Sequence, residues 1–424
     1  MPKSPAILPS GVRTTDILTV TQFASVFPMA EFDKILERLG RATVRVRDLP
    51  NECIVYFVMM LALFRDCSHR EVYRCVASAM AALLGKKELS VPSAAALSKA
   101  RDRVKDESLK ELFHKHAVPC GEPNQPGVWF GRWRKMAIDG CVLNADNTPA
   151  NRKFFGCSTN QHSTAAGWPQ LRFVGLMEAG THVFVGAAAG GYHDGEITLA
   201  QELVPLLKPE MICLADRNFY SFSLFESITQ RGAALLIRVQ RGMTFTPKAK
   251  LSDESHLVTI YDSEDRKKEH GLDARFIQYR VDGSPNKDTI YLITNILEPG
   301  EASAQELAEL YHERWEYETA LDELKTHLNA KATTLRSKKP DLVLQEFWGM
   351  LMAHYVIRRT MNDAAMGAKL DPDRLSFTHT VRVISRALMK SGDFPPLTAP
   401  LKRSSKRSSK NGFQSEESVV MSAP

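Results

Sequence analysis

Three carboxylic acids of this 424-residue chain stand where they could become ligands of one divalent metal site. Asp139 and Asp216 each close a short apolar run, KMAID and EMICLAD, that predicts a buried strand. In open α/β sheets, functional sites form beyond the carboxyl ends of the strands. The two acids are therefore candidates for the same site, although an acid at a strand end is also a common turn residue.

A third acid, Glu318, lies in a segment whose apolar spacing predicts one continuous helix over residues 303–328. At about 100° per residue, four polar side chains fall within an arc of roughly 60° on that helix: Tyr311, Arg314, Glu318 and Lys325. A leucine stripe beside them predicts the packed face, and the other glutamates are expected to face solvent: Glu309, Glu313, Glu316 and Glu323. A solvated stripe of ion pairs is the alternative interpretation of this face.

Three carboxylates without cysteine or histidine among them favour a hard divalent ion, Mg²⁺ or Mn²⁺. Two such ions about 3.5–4 Å apart stabilise the attacking and the leaving oxygen of an in-line phosphoryl displacement. Basic groups beside the acids would then hold the phosphates around the bond that is cut. These residue types therefore predict metal-dependent chemistry on a nucleic-acid backbone.

The spacing Tyr-x2-Arg-x3-Glu-x6-Lys, which ends at Lys325, resembles the signature of DDE transposases of the insertion-sequence-four family. The text AIDGCVLNADNTPANRKFFG around Asp139 is similar to the family's first-acid block, and LADRNFYS around Asp216 is similar to its second-acid block. The segment TTLRSKKPDLVLQEFWGMLMAHYVIR resembles the helix that follows the signature. The resemblance covers roughly residues 20–395, and the three blocks occur in the family's order.

This resemblance implies an enzyme that binds the terminal inverted repeats of a mobile element, cuts its ends and joins them to target DNA. Asp139, Asp216 and Glu318 would be the catalytic metal ligands for two Mg²⁺ or Mn²⁺ ions. Tyr311, Arg314 and Lys325 would contact double-stranded DNA near the cut. Synapsis of two element ends implies a dimer on DNA.

The elements that must position these residues alternate strands and helices after residue 130, in an order that specifies a mixed α/β sheet. The resemblance implies a ribonuclease-H-like catalytic core with a β-rich insertion, preceded by an all-helical N-terminal domain. The expected organisation, in chain order, is a flexible N-terminus (1–20), a helical DNA-binding domain (21–117), a linker (118–130), the catalytic core (131–239 and 298–395), the β-rich insertion (240–297) and a disordered basic tail (396–424).

Further contacts to DNA phosphates are expected from basic residues outside the signature. Three of them lie on the predicted helix 93–110, for which a solvated basic surface is the alternative interpretation. The candidates are Lys99, Arg101, Arg103, Arg238, Arg241, Lys338 and Lys339. Some members of the family that this sequence resembles stack a flipped base on a tryptophan of the insertion, but residues 240–297 contain no tryptophan. Another aromatic side chain would have to stack the base here, and the candidates are Phe245, Tyr261, Phe276 and Tyr291. The sequence therefore leaves open whether a hairpin intermediate is formed.

The composition is that of a globular protein with a slightly basic character. The net charge is +6, the hydrophobic content is 44% and the seven cysteines include no C-x-x-C pair, which argues against a disulfide scaffold or zinc finger. The apolar run 54–64 is too short for a membrane span, which needs about 20 residues. We therefore expect a cytoplasmic protein and no membrane partner.

Two other functions are consistent with much of the same pattern of acidic and basic residues. A nuclease of the same fold would hydrolyse DNA without joining strands. A non-catalytic inhibitor of transposition would bind DNA without cutting it, although the intact acidic triad speaks against this function.

Overall fold

The computed structural model describes residues 20–42, 49–83, 86, 88–158, 167–280, 289–328, 334–368 and 370–390. These residues form two compact units. The helical unit combines the described parts of Met1–Cys120, Leu143–Gln170 and Leu321–Gln414. The sheet unit combines Gly121–Val142 with the described parts of Leu171–Ala320. The N-terminus expected to be flexible (apart from Val20) and the basic tail expected to be disordered lie outside the described residues.

Ten of the described strands belong to the main sheet. In chain order they are β1 (Trp129–Phe130), β2 (Trp133–Ala145), β3 (Gln170–Glu178), β4 (Val183–Gly191), β5 (Met211–Ala215), β6 (Ala234–Arg238), β7 (Thr246–Lys250), β8 (His256–Tyr261), β9 (Gly271–Arg280) and β10 (Thr289–Thr294). Their order in the sheet is β4-β3-β2-β5-β6-β10-β9-β8-β7, with β1 beside β2.

The centre of this sheet is parallel, and its flanks are antiparallel. β2 pairs in parallel with β5, and β5 pairs in parallel with β6, while β3 and β4 form an antiparallel pair. β5 is buried along its whole length, as its continuous apolar sequence MICLA predicts. The segment between β6 and β10 adds antiparallel strands to one edge, and β10 joins them to β6.

Twelve helices are described across the two units. They are α1 (Val20–Val26), α2 (Met29–Arg38), α3 (Glu52–Leu63), α4 (His69–Leu83), α5 (Ala94–His116), α6 (Pro149–Phe155), α7 (Glu196–Gln201), α8 (Phe222–Gln230), α9 (Ala304–His312), α10 (Trp315–Asp322), α11 (Pro340–Ala368) and α12 (Phe377–Lys390).

In the helical unit, α3 packs against α11, and α11 also packs against α5. The apolar helix α3 is buried from Cys53 to Ala62, so the apolar run 54–64 noted in the sequence belongs largely to the core of this unit. The short strand β11 (Thr334–Leu335) pairs in parallel with Asn144 and Ala145 of this unit. Across the described residues, no helix combines the length and the apolar content that a membrane span requires.

The structure confirms the predicted fold class. It has a mixed α/β sheet, a β-rich segment inserted between β6 and α9, and a helical N-terminal region. One predicted element is wrong: the single helix over residues 303–328 is interrupted between His312 and Trp315. Its second part, α10, ends at Asp322 and is followed by a π-helical turn, Glu323–His327.

Candidate active site

Asp139 and Asp216 occupy equivalent places on neighbouring parallel strands. Ile138 and Ala215 are directly paired across β2 and β5, so the next residue of each chain segment is an acid. β5 ends at Ala215, as predicted, whereas β2 continues past Asp139 to Ala145. The prediction that Asp139 ends its strand is therefore wrong, because only its parallel pairing with β5 stops there while the strand itself runs on.

The guanidinium of Arg314 connects the first acid to the third. Its Nη2 lies 2.8 Å from Oε1 of Glu318, and its Nη1 lies 3.5 Å from Oδ2 of Asp139. The Glu318 side chain is 62% exposed, while those of Asp139 and Arg314 are 24% and 17% exposed. A cationic group therefore already lies between two acids, one of which is open to solvent.

The environment of Asp139 disfavours its negative charge. Burial, with a smaller contribution from the negative charges of Asp216 and Glu196, raises the pKa of Asp139 to about 6. Two groups oppose this change: the Gly140 N–H, which donates to Oδ1 at 2.7 Å, and Arg314. An additional cation at this position would relieve the repulsion among the acids.

The interruption between α9 and α10 gives Arg314 its position. The N–H groups of Glu313 and Arg314 bond to carbonyls three residues back, at 3.0 and 3.1 Å, so the chain tightens into a 3₁₀-like turn here. Glu313 is paired with the buried Lys135 of β2, and the Glu316 carboxylate accepts from the Gly180 N–H at 2.7 Å. The expectation that Glu316 faces solvent is therefore wrong, whereas the Glu313 side chain is still 39% exposed and Glu309 is exposed.

Glu196 is a member of this acidic cluster that the sequence interpretation missed. It is the first residue of α7, and its carboxylate lies against Gly140: a Cβ atom built on that glycine would lie 2.6 Å from Oε1. Its charge also acts on Asp139. The nearby Asp194 accepts from the Gly191 N–H at 2.6 Å and serves the turn before α7. The motif HDGE could have pointed to either acid, and only the fold distinguishes them.

The three acids offer oxygen donors alone, which is the donor type that a hard divalent ion prefers, and the charge of Asp216 acts on Asp139. Tyr311 of the signature is buried, with its ring centroid 6.0 Å from the Arg314 guanidinium carbon. Burial raises the pKa of Tyr311, so the phenol stays protonated at neutral pH. Trp315, the next residue after Arg314, is 60% exposed.

Comparison with protein families identifies the family to which this chain belongs. The model of the transposase DDE domain matches residues 134–356, which include all three acids. The model of the insertion element 4 transposase N-terminal region matches residues 18–114. The chain belongs to the insertion-sequence-four family of DDE transposases.

One relative and one solved structure extend the comparison. The chain is 29% identical over 360 residues to the transposase InsG for insertion sequence element IS4 of Escherichia coli strain K12, which covers 84% of this chain and 80% of the relative. A piggyBac transposase in a synaptic complex with hairpin DNA has a TM-score of 0.47 at 15% identity, covering 93% of this chain and 85% of that one. Membership of this family makes the protein in general an enzyme of DNA cleavage and transfer, with a ribonuclease-H-like core and a use of divalent metal ions.

The transposase's signature lysine lies in the helical unit. Lys325 is half-buried on the π-helical turn Glu323–His327. Glu323 anchors this turn through the Arg358 guanidinium, whose Nε donates at 2.7 Å, and through Nε2 of His354 at 3.3 Å. Glu323 is therefore buried, and the expectation that it faces solvent is wrong.

The structure separates the basic residues expected to contact DNA. Arg101 is 1% exposed, and its guanidinium donates to Ser337 Oγ, Gln345 Oε1 and the Leu342 carbonyl at 2.6–3.1 Å. Burial contradicts its expected contact with DNA, because the group is already enclosed by protein acceptors. Arg103 donates to Asn51 and the Leu49 carbonyl, and Lys339 pairs with Asp102. Arg238 is half-buried, and the exposed candidates are Lys99, Arg241, Lys338 and Lys339.

A chain of aromatic rings runs from Tyr220, just before α8, into the β-rich segment of the transposase. Tyr220, Phe245, Phe276 and Tyr291 follow one another with centroid separations of 5.3–6.2 Å. A cavity of about 550 Å³ opens beside Tyr220 and Phe245, and it is also lined by Tyr261 and Lys268.

Proposed function

We propose that this transposase binds the terminal inverted repeats of its insertion sequence, cleaves the element ends and joins them to target DNA with two Mg²⁺ or Mn²⁺ ions. The observation that carries the proposal is the bridging of Asp139 and Glu318 by Arg314, beside the register-matched Asp216. In this proposal, two strands and a helix supply the carboxylates that would hold the ions and the guanidinium that would bind a phosphate. A solvated stripe of ion pairs does not account for the desolvated Asp139.

Each residue has a distinct part in this proposal. Asp139, Asp216 and Glu318 would hold the ions, which when bound stabilise charge on the attacking and leaving oxygens of the phosphodiester. Once Asp139 and Glu318 hold the ions, the planar guanidinium of Arg314 would be available to bind a phosphate oxygen. The protonated phenol of Tyr311 can donate a hydrogen bond but cannot serve as a base at neutral pH.

DNA binding would extend over both units. In the sheet unit, Arg241 and the exposed Trp315 offer a cation and a stacking surface. In the helical unit, Lys99, Lys325 and Lys338 offer further phosphate contacts, and residues 21–117 would recognise the terminal repeats. Joining two element ends at one target requires two active sites, so we propose a dimer on DNA.

The assay that tests this function incubates the purified chain with Mg²⁺ and a plasmid that carries both element ends. Joined products are expected. Cut ends without joined products would indicate a nuclease of the same fold, and a gel shift without cutting would indicate a non-catalytic DNA-binding protein. No specific observation among the described residues favours either alternative.

A further inference from the structure

Tyr317, which is not part of the signature, lies between the third acid and the backbone of the first. The side chain is completely buried in the sheet unit. Its hydroxyl oxygen lies 2.9 Å from the carbonyl oxygen of Asp139 and 3.0 Å from that of Gly175. The single phenolic proton can be donated to either carbonyl, which lie on β2 and β3.

The sheet is shaped to admit this phenol. A Cβ atom at Gly175 would lie 2.7 Å from the Tyr317 hydroxyl oxygen, which is closer than such contacts occur. Glycine weakens a strand interior, and its presence there often marks a close approach by another group. The Phe184 ring meets the Tyr317 ring edge to face, with centroids 5.7 Å apart. Three residues from three strands therefore fix one aromatic side chain in one position.

The position of Tyr317 directly determines the position of Glu318. The two are consecutive on α10, so their side chains leave the helix about 100° apart. While Tyr317 faces the strands, Glu318 contacts Arg314, which in turn reaches Asp139. The Glu316 carboxylate fixes the other side of the same turn through the Gly180 N–H. Displacing the phenol would therefore move the third acid relative to the first.

We propose that Tyr317 is a positioning residue, whose hydroxyl sets the separation between α10 and the Asp139 backbone and thereby places Glu318 for metal binding. The inference rests on the proposed metal-dependent function, and it adds a residue outside the signature to that machinery. Misplacement of a reacting group by about 1 Å can cost about a hundredfold in rate. Loss of this hydrogen bond should therefore lower the rate of catalysis in addition to its effect on folding.

The test compares Tyr317→Phe with Tyr355→Phe. Tyr355 is a matched control, since it is equally buried and its hydroxyl donates to the Val118 carbonyl at 2.7 Å within the helical unit. Both variants should lose a similar few degrees of melting temperature. Tyr317→Phe alone should reduce kcat for end cleavage about tenfold or more at unchanged affinity for end DNA, and it should raise the Mn²⁺ concentration needed for half-maximal rate.

A second readout avoids activity altogether. Added Mn²⁺ should raise the melting temperature of the wild type and of Tyr355→Phe, in the absence of DNA, and should raise that of Tyr317→Phe clearly less. Equal Mn²⁺ responses and equal kcat in the two variants would overturn the proposal, because Tyr317 would then be an ordinary packed residue. A wild type that neither responds to Mn²⁺ nor cleaves DNA would overturn the proposed function itself, and this inference with it.

Discussion

The Arg314 guanidinium lies 2.8 Å from the Glu318 carboxylate, and the same group reaches toward Asp139 at 3.5 Å. Glu318 and Asp139 are proposed metal ligands, so Arg314 and a divalent ion compete for the same oxygens. Electrostatic repulsion between the guanidinium and the ion would weaken metal binding as long as Arg314 is not paired with another anion. A DNA phosphate is such an anion, and metal binding and DNA binding should therefore favour each other.

Substitution of Arg314 tests this competition. Arg314→Ala should bind Mn²⁺ more tightly than the wild type without DNA, as measured by calorimetry, because a positive charge beside the ligands is lost. Cleavage of end-bearing DNA should nevertheless fall tenfold or more, which corresponds to about 1.4 kcal/mol per decade. Arg132→Ala removes an exposed arginine of the same unit and serves as the control. Unchanged Mn²⁺ affinity in Arg314→Ala would contradict the competition.

The raised pKa of Asp139 predicts how stability depends on pH without metal. The pKa is raised from 3.8 to about 6, so the folded state favours the protonated carboxyl and loses stability as pH rises through about 6. Asp139→Asn cannot ionise and should melt higher than the wild type at pH 8 but not at pH 4. At about 1.4 kcal/mol per pKa unit the advantage is at most roughly 3 kcal/mol, and partial exposure reduces it.

Thermal melting in the presence of a chelator measures this difference. A constant gap between Asp139→Asn and wild type from pH 4 to pH 8 would show that Asp139 is not titrating in this range. Addition of Mn²⁺ at pH 8 should reverse the order, because only the wild type keeps its full set of ligands.

Two basic residues on α5 should behave in opposite ways. Arg101→Ala leaves Glu346, Gln345 and Ser337 without their buried cation and should destabilise folding by about 3–5 kcal/mol. The exposed Lys99→Ala should leave the melting temperature unchanged and should lower the slope of log K against log salt for DNA binding by about 0.9. An unchanged salt slope would show that Lys99 does not touch DNA.

Glu196 should contribute to the acidic site less than the triad does. Glu196→Gln keeps the shape but removes one of the charges that act on Asp139, so we expect a several-fold loss of cleavage at limiting Mg²⁺ that saturating Mg²⁺ restores. The exposed Glu202→Gln, just after α7, is the matched control. A loss that persists at saturating Mg²⁺ would contradict an electrostatic role for Glu196.

The sequence was sufficient for the parts of this site that depend on local pattern. Apolar runs ending on acids predicted β2 and β5, and the parallel pairing of those strands follows from their place in the α/β order. The helical spacing of Arg314 and Glu318 predicted a shared face, and the two side chains are in contact.

The remaining features depend on partners that are distant in the chain. The break before Trp315 interrupts a spacing that looks continuous, because Lys135 and the Gly180 N–H hold Glu313 and Glu316 in a tightened turn. Arg101 has the local surroundings of a surface cation, and its burial depends on α11 and Ser337 more than 230 residues later. Glu196 becomes relevant only because Gly140 leaves room for its carboxylate.

The central claim, that Asp139, Asp216 and Glu318 form one metal site, is tested most directly by isosteric substitution of each acid. Asp139→Asn, Asp216→Asn and Glu318→Gln should each reduce cleavage and joining of end-bearing DNA by about a thousandfold or more, since ligands of one site fail together. Binding of end DNA should remain close to that of the wild type. Asp194→Asn, which changes a turn acid of the same unit, should cleave normally. Near wild-type cleavage by any one of the three triad variants would contradict the claim.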